Sequence, residues 1–414
     1  MNRPAPGPAR TSPAPRPEPA PSPRPDRRLI VRRLLLASAI LLIAVNLRPA
    51  LAGVGPLIAD IRQDTGLSNP ALGLLTTLPL LAFGFVSTLT PLATRRLGIE
   101  GTLAAALLLL AAGILLRVVP STALLFGGTL LAGVAIALGN VLLPSLVKRD
   151  FPGRSGVMTS LYSSAMGAGA TVAAGVSVPL AEAYGLGWRW SLGAWALPAL
   201  VALGVWLPRL RQRSVPRPTG SLRTALKDLG RSRLAWEVAL FMGLQSLTFY
   251  VMLAWLPELL QSRGLDAERA GWMLALSQGV GILGTLLIPT WAERLPDQRR
   301  IVWVLAAVEG VSLLGLLAPG TALAPLWVSL LGFVLGGTFG LALLFIVLRT
   351  PDAQTATELS GMAQSVGYLL ASVGPFAFGL LHDLTRSWSI PLASLMVVLL
   401  GKLVTGLGAG TAQE

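Results

Sequence analysis

The sequence predicts an all-α membrane protein: twelve transmembrane helices in two pseudo-symmetric six-helix bundles. Composition is the first observation behind this, since 53% of the 414 residues are hydrophobic and 13% are charged, against about 25% charged in an ordinary soluble domain. Mean hydropathy is +0.68. The second is a recurrence of apolar runs from residue 34 almost to the end, each long enough to cross a bilayer as a helix. The third is that loop charge alternates along the chain, while local features of the first half return in the second.

Residues 1–28 contain ten prolines and six arginines and read as a disordered, basic, Pro-rich tail. The apolar segment that follows is too long for a cleaved secretory leader, so a signal-anchor first helix is expected. The twelve spans fall at about 34–59, 69–92, 101–119, 122–147, 156–180, 188–207, 235–257, 269–291, 300–318, 322–348, 357–382 and 388–410. A central loop, 208–234, separates an N-terminal bundle (29–207) from a C-terminal one (235–414). Its Leu222, Ala225, Leu226 and Leu229 recur at helical spacing among cations, so part of it is expected to lie along the membrane surface.

Loops after even-numbered spans carry Arg95 and Arg96, then Lys148, Arg149 and Arg154, then the cations of the central loop, then Arg294, Arg299, Arg300 and Arg349. Loops after odd spans carry only Arg62, Arg189, Arg263, Arg269 and Arg386. The excess of cations on one side predicts cytoplasmic termini and a multi-pass protein of the cytoplasmic (inner) membrane. The net charge of +14 sits in the tail and these loops, a distribution that argues for the lipid bilayer and against nucleic acid as partner. Across the halves, Gly66-Leu67-Ser68 with Gly73 returns as Gly264-Leu265-Asp266 with Gly271. Pro56 is matched by Pro257, and Ser155-Gly156-Val157-Met158 returns as Ser360-Gly361-Met362.

The chemistry available is narrow. With no cysteine and a single histidine, His382, the chain has no disulfide, no thiolate and no basis for a metal centre. It has no paired mid-membrane carboxylates either, so it is not expected to be an enzyme, and no cofactor is implied. The strongest feature is Asn46-Leu47-Arg48-Pro49. An arginine at membrane depth costs about 2.5–3.5 kcal/mol on insertion scales. Pro49 removes a backbone donor and disfavours helix at Arg48, and Gly53, Gly55 and Pro56 weaken the same helix. A charged, partly unwound segment at that depth is tolerated where it lines a cavity or is buried in protein. Arg48 is therefore an anion-binding candidate in a solute pathway, the alternative being that it snorkels to the outer interface.

Asn46-Leu47-Arg48-Pro49 and the Val54-Gly55-Pro56-Leu57 that follows resemble the first helix of the cyanate/nitroimidazole transporter family of the major facilitator superfamily. Gly73-Leu74-Leu75-Thr76-Thr77-Leu78-Pro79-Leu80-Leu81-Ala82-Phe83-Gly84, Gly139-Asn140-Val141-Leu142-Leu143-Pro144 and the Lys148-Arg149-Asp150-Phe151-Pro152 turn resemble it too. So do Trp255-Leu256-Pro257, Leu359-Ser360-Gly361-Met362-Ala363-Gln364-Ser365-Val366-Gly367-Tyr368 and Gly374-Pro375. The chain departs from the wider superfamily between spans 2 and 3. There the usual Gly-x-x-x-Asp-Arg-x-Gly has Pro91 at the glycine position and Arg95 at the acid position, which puts the acid's gating ion pair in question.

The resemblance implies two homologous halves with a solute site between them near the midplane. The expected activity is secondary-active transport of a small anionic or heterocyclic solute, cyanate- or nitroimidazole-like, by alternating access. The alternatives are a multidrug-type exporter and a transporter-like receptor without net flux. In the superfamily's arrangement spans 1, 4, 7 and 10 line the cavity and 2, 5, 8 and 11 flank it. The candidate substrate-binding residues are then Asn46 and Arg48 on span 1, Asn140 on span 4, Tyr162 on span 5, and Gln245, Tyr250 and Trp255 on span 7. Gln278 on span 8 joins them, with Gln364 and Tyr368 on span 11. Amides and phenols would orient the solute, and a guanidinium can grip a planar anion bidentately.

Trp255 has a second reading as an interfacial belt residue. Glu309, mid-span in span 9, is the candidate for coupling to protons, although span 9 is expected to be peripheral and the acid may equally pair with another helix. Arg117 on span 3 is expected to snorkel outward, and Lys402 on span 12 has no assigned role. Small-residue pairs, Gly133 with Ala137 and Gly336 with Gly340, suit the rocking interface. The expected assembly is a monomer.

Overall fold

The computed structural model describes residues 27–67, 69–182, 184–185, 187–212, 222–318 and 320–411. Most of the Pro-rich tail, the middle of the central loop and Ser68 of the repeat lie outside them. Among the described residues, eleven helices are long and apolar enough to cross a membrane. A twelfth, Asn69–Ser87, has its apolar stretch at Thr77–Ser87.

Span 1 is not one helix. Arg27–Asn46 stops, Leu47 and Arg48 form a turn, and Pro49–Ala52 and a 3-10 turn, Gly55–Leu57, carry the chain on. Pro49 has no N–H for the carbonyl four residues back, Val45 O. Gly169 of span 5 packs directly on that carbonyl, where any Cβ would overlap it. Span 2 is Asn69–Ser87. Span 3 lies within Thr90–Leu116, which is broken by Gly98 at φ 70°, a left-handed conformation that favours glycine.

Spans 4 and 5 are Thr122–Asp150 and Ser155–Glu182. Span 6 comprises Gly187–Gly193 and Ala196–Trp206. In the second half, spans 7 to 12 are Arg233–Gln261, Ala267–Ala292, Arg299–Leu317, Ala324–Leu348, Ala353–Thr385 and Ser389–Ala409. Starts are fixed by side-chain caps. Ser232 Oγ accepts from Ala235 N (3.3 Å), Asp266 Oδ1 from Arg269 N (2.7 Å), and Asp352 Oδ1 from Gln354 N and Thr355 N (2.8 and 2.9 Å). In the central loop, Leu222–Arg231 is a short helix, tied to span 7 by Trp236 Nε1 donating to Gly230 O at 2.9 Å.

The glycines of the small-residue pairs pack within their own halves rather than at the interface between them. Gly336 and Gly340 pack span 10 on span 8 of the same half: a Cβ on Gly340 would come within 2.6 Å of Pro289 Cγ, and one on Gly336 would overlap Gly281 O. Gly133 packs on Pro79 of span 2, also within its own half. The glycines of the repeated Ser-Gly motif, by contrast, lie where the halves meet, as does Gly84 of span 2 against Leu369 of span 11. Gly156 of span 5 lies on Pro289 O and Glu293 of span 8, and Gly361 of span 11 lies on Ser87 O at the end of span 2.

One turn further along each helix a hydroxyl pair crosses the same seam. Ser160 Oγ and Thr290 Oγ1 are 2.9 Å apart, and Ser365 Oγ accepts from Thr88 Oγ1 at 2.6 Å and from Thr88 N at 3.0 Å. The two crossings are related by the internal pseudo-symmetry, and both lie at the end of the molecule that bears the even-numbered loops.

Candidate functional site

That end is closed by charge as well. Arg95, at the usual acid position, pairs with Glu358 of span 11 across the halves (3.3 Å). The ion pair questioned in the sequence therefore exists with its charges exchanged. Thr357 Oγ1 also donates to Ser145 Oγ of span 4 at 2.8 Å. Behind this seam Arg149 binds Glu100 (2.6 Å) and grips Asp150 through Nε and Nη2 (2.9 Å each), joining spans 3 and 4.

Above the seam, four spans of the two halves converge on a narrow cleft. Asn140 and Leu143 come from span 4, Tyr162 and Met166 from span 5, Phe339 and Leu343 from span 10, and Gln364 and Tyr368 from span 11. All four polar members are buried. Both amide atoms of Asn140, the Tyr162 hydroxyl and the Gln364 carbonyl oxygen have no hydrogen-bond partner in the protein. Each such orphan costs about 1–3 kcal/mol if nothing satisfies it, and four of these atoms fall on the walls of this one cleft, which is packed too tightly here to admit a water.

Arg48 stands at the edge of this cleft. Its Cζ is 5.7 Å from the centre of the Phe339 ring, and it is in electrostatic reach of the Tyr250 and Tyr368 phenols. Among the described residues no carboxylate pairs with Arg48. Tyr368 is held by Phe83 of span 2, with ring centres 4.9 Å apart. The helix break lies at this place: the first helix ends at Asn46, and Arg48 stands on the turn that follows.

The other candidates are placed elsewhere. Asn46 donates to Leu42 O (2.8 Å) and to Pro198 O on span 6 (3.2 Å), so its amide fastens span 1 from behind. Gln245 is buried on span 7 and donates to Ser246 Oγ at 2.7 Å. Trp255 donates to Pro375 O at 2.8 Å and packs on Trp388, ring centres 5.8 Å apart, where it braces the proline-containing part of span 11. Gln278 is partly buried on span 8, outside the cleft.

Glu309 pairs with Lys402 between spans 9 and 12, with both side chains buried. Lys402 thus has a partner, and Glu309 is not brought to the cleft. Arg117 does not snorkel: it is 1% exposed and donates from Nη1 to Ala50 O of span 1 at 2.8 Å. Sequence reasoning missed Phe339, Leu343 and Met166, which are apolar residues in apolar spans. Only the Gly336/Gly340 face of span 10, which must turn to a neighbouring helix, hints that Phe339 and Leu343 look another way.

Comparison with known proteins agrees with this architecture. The family model "Major Facilitator Superfamily" matches residues 26–407. The chain is 46% identical over 376 residues to the uncharacterized transporter YycB of Bacillus subtilis (strain 168), covering 91% of this chain and 93% of that one. It is 44% identical over 383 residues to the 2-nitroimidazole transporter of Escherichia coli (strain K12), covering 92% and 97%. To the cyanate transport protein CynX of the same organism it is 30% identical over 366 residues, covering 88% and 94%. Among solved structures, the proton:xylose symporter XylE superposes with a TM-score of 0.75 at 15% identity, covering 91% of this chain and 95% of that one. The chain is a membrane-embedded, multi-pass transporter that belongs to the major facilitator superfamily and, within it, to the cyanate/nitroimidazole transporter family.

Proposed function

We propose that this transporter carries a small anionic or heterocyclic solute, cyanate- or nitroimidazole-like, between its two halves by alternating access. The observation that carries the reading is the cleft itself: partnerless buried amide and phenol groups from both halves, beside an arginine with no acid. Arg48 anchors the solute by charge, Asn140, Gln364 and Tyr368 orient it, and Phe339 and Tyr368 offer ring faces to a planar molecule. Tyr162 and Tyr250 complete the polar wall.

The bundles 29–207 and 235–414 rock about the cleft, and the monomer suffices because both walls come from one chain. In the orientation given by loop charge, the chain lies in the inner membrane with both termini in the cytoplasm. The closed Arg95–Glu358 seam then faces the cytoplasm. Among the described residues no carboxylate lines the cleft, which favours uniport, or co-transport in which the solute brings its own proton, over a proton relay through a cavity acid. Glu309 has a lesser claim to coupling than its depth alone suggested.

The test is uptake of cyanate and of 2-nitroimidazole into proteoliposomes, with and without an imposed pH gradient, for the wild type and Arg48→Gln at equal insertion. Loss of a charged hydrogen-bonding partner predicts a 10- to 100-fold lower kcat/KM for cyanate, of order RT times the logarithm of that ratio, about 1.5–3 kcal/mol. Undiminished cyanate uptake in the variant would remove Arg48 from the site. Gradient-independent uptake would exclude obligatory proton coupling.

A further inference from the structure

We infer that Arg117, on nominally peripheral span 3, is a positioning residue that holds the broken turn of span 1 and through it the guanidinium of Arg48. The inference rests on the reading of Arg48 as the solute anchor. Its starting point is the backbone of the break. Within the broken segment, Leu51 N and Ala52 N both donate to Arg48 O, Gly53 N donates to Pro49 O, and Val54 N donates to Leu51 O at 3.2 Å. In a continuous helix Val54 N would serve Ala50 O. The shift to the shorter pattern leaves the Ala50 carbonyl without its backbone donor, at membrane depth, where an unpaired carbonyl is costly.

Arg117 Nη1 fills that vacancy at 2.8 Å. Its side chain reaches span 1 along a passage made by glycine: a Cβ on Gly128 of span 4 would come within 2.9 Å of Arg117 Cγ. The cation also follows directly on the C-terminal end of span 3, where the helix dipole favours positive charge. Its Nε and Nη2 have no partner in the protein, so the Ala50 bond is the hydrogen bond this buried group makes. An arginine buried for packing alone would be replaceable by an apolar residue without consequence for the site. One that sets the geometry two residues from Arg48 would not.

The chain has no cysteine, which allows a direct readout. Leu51→Cys, on the broken turn, is labelled with a thiosulfonate in otherwise wild-type protein and in Arg117→Met, Arg117→Gln and Arg117→Lys. Uptake of cyanate and 2-nitroimidazole is measured in the same backgrounds without the cysteine. Loss of a charge-assisted bond predicts that Arg117→Met changes the labelling rate and raises KM for cyanate, each by about tenfold, with kcat within about threefold. Arg117→Lys and Arg117→Gln, which keep a donor for Ala50, are expected within about threefold of wild type in both readouts. In an Arg48→Gln background, Arg117→Met should add nothing further to KM, since groups acting through one another are not additive.

Unchanged labelling and KM in Arg117→Met would overturn the inference. So would a tenfold loss in inserted Arg117→Lys and Arg117→Gln, and these two variants carry the test if Arg117→Met fails to insert. A changed labelling rate together with an Arg48→Gln protein of normal KM would mean that Arg117 holds the turn while Arg48 is not the anchor. That outcome separates failure of the site reading from failure of this one. Labelling reports on the turn whether or not either solute is carried.

Discussion

Around Arg48 the buried polar groups lack partners and come from both halves of the molecule. Between spans 9 and 12, Glu309 and Lys402 are buried as well, yet their opposite charges pair through Glu309 Oε2 and both belong to one half; Glu309 Oε1 alone is left without a partner. Both places break the rule that charge avoids the membrane interior, and they do so in opposite ways. A paired charge within a rigid half fastens helices. A set of unpaired groups where two halves meet waits for something to arrive. Partnership, rather than depth or charge, distinguishes the fastener from the site.

The comparison breaks most readily at Lys402. Lys402→Met leaves the Glu309 carboxylate buried without a counter-charge, which should cost about 3–5 kcal/mol, seen as a lower melting temperature in detergent, while uptake per folded molecule is retained. The double variant Glu309→Leu with Lys402→Met should recover most of that stability. A double variant as unstable as the single one would show that the pair is not the fastener. Asn140→Leu should behave in the reverse manner. It removes a group that has no partner in the protein, so stability should hold while kcat/KM for cyanate falls about tenfold. A large loss of stability there would mean that Asn140 has a structural bond after all.

The hydroxyl pairs of the seam sharpen the comparison at the small end. Ser160→Ala removes one inter-half bond of ordinary strength, about 0.5–1.5 kcal/mol, and Ser365→Ala removes the two it accepts from Thr88, so both should shift the balance between closed and open seam, Ser365→Ala the more. Thiol labelling of a cysteine introduced at the even-loop end reads that balance. Equal shifts would mean that the bond from Thr88 N adds nothing to its crossing.

Much of this was legible before any coordinates. The spans declared themselves by hydropathy, and Arg48, Asn140, Tyr162, Gln364 and Tyr368 stood out as polar residues in apolar helices. What the sequence could not show was direction. Asn46 lies two residues from Arg48, about 200° around a helix, and helical spacing gives that angle without saying which of the two looks inward. Phe339 and Leu343 carry no signal at all, being apolar among apolar neighbours. The Arg95–Glu358 pair joins positions on opposite halves, and the charge exchange hid it from a motif that expects an acid first. Arg117 was misread because a cation at the end of a peripheral span has the pattern of an interfacial anchor. The carbonyl that holds it is freed by a break in another helix.

The repeated Ser-Gly motif has a mechanical consequence. Gly156 and Gly361 place two contact points on either side of the pseudo-twofold axis, each followed one turn later by a hydroxyl bond. A single contact would resist separation of the halves but leave them free to pivot on it. Two contacts set apart resist torsion as well, so the internal repeat gives the seam a stiffness against twisting that neither motif would give alone.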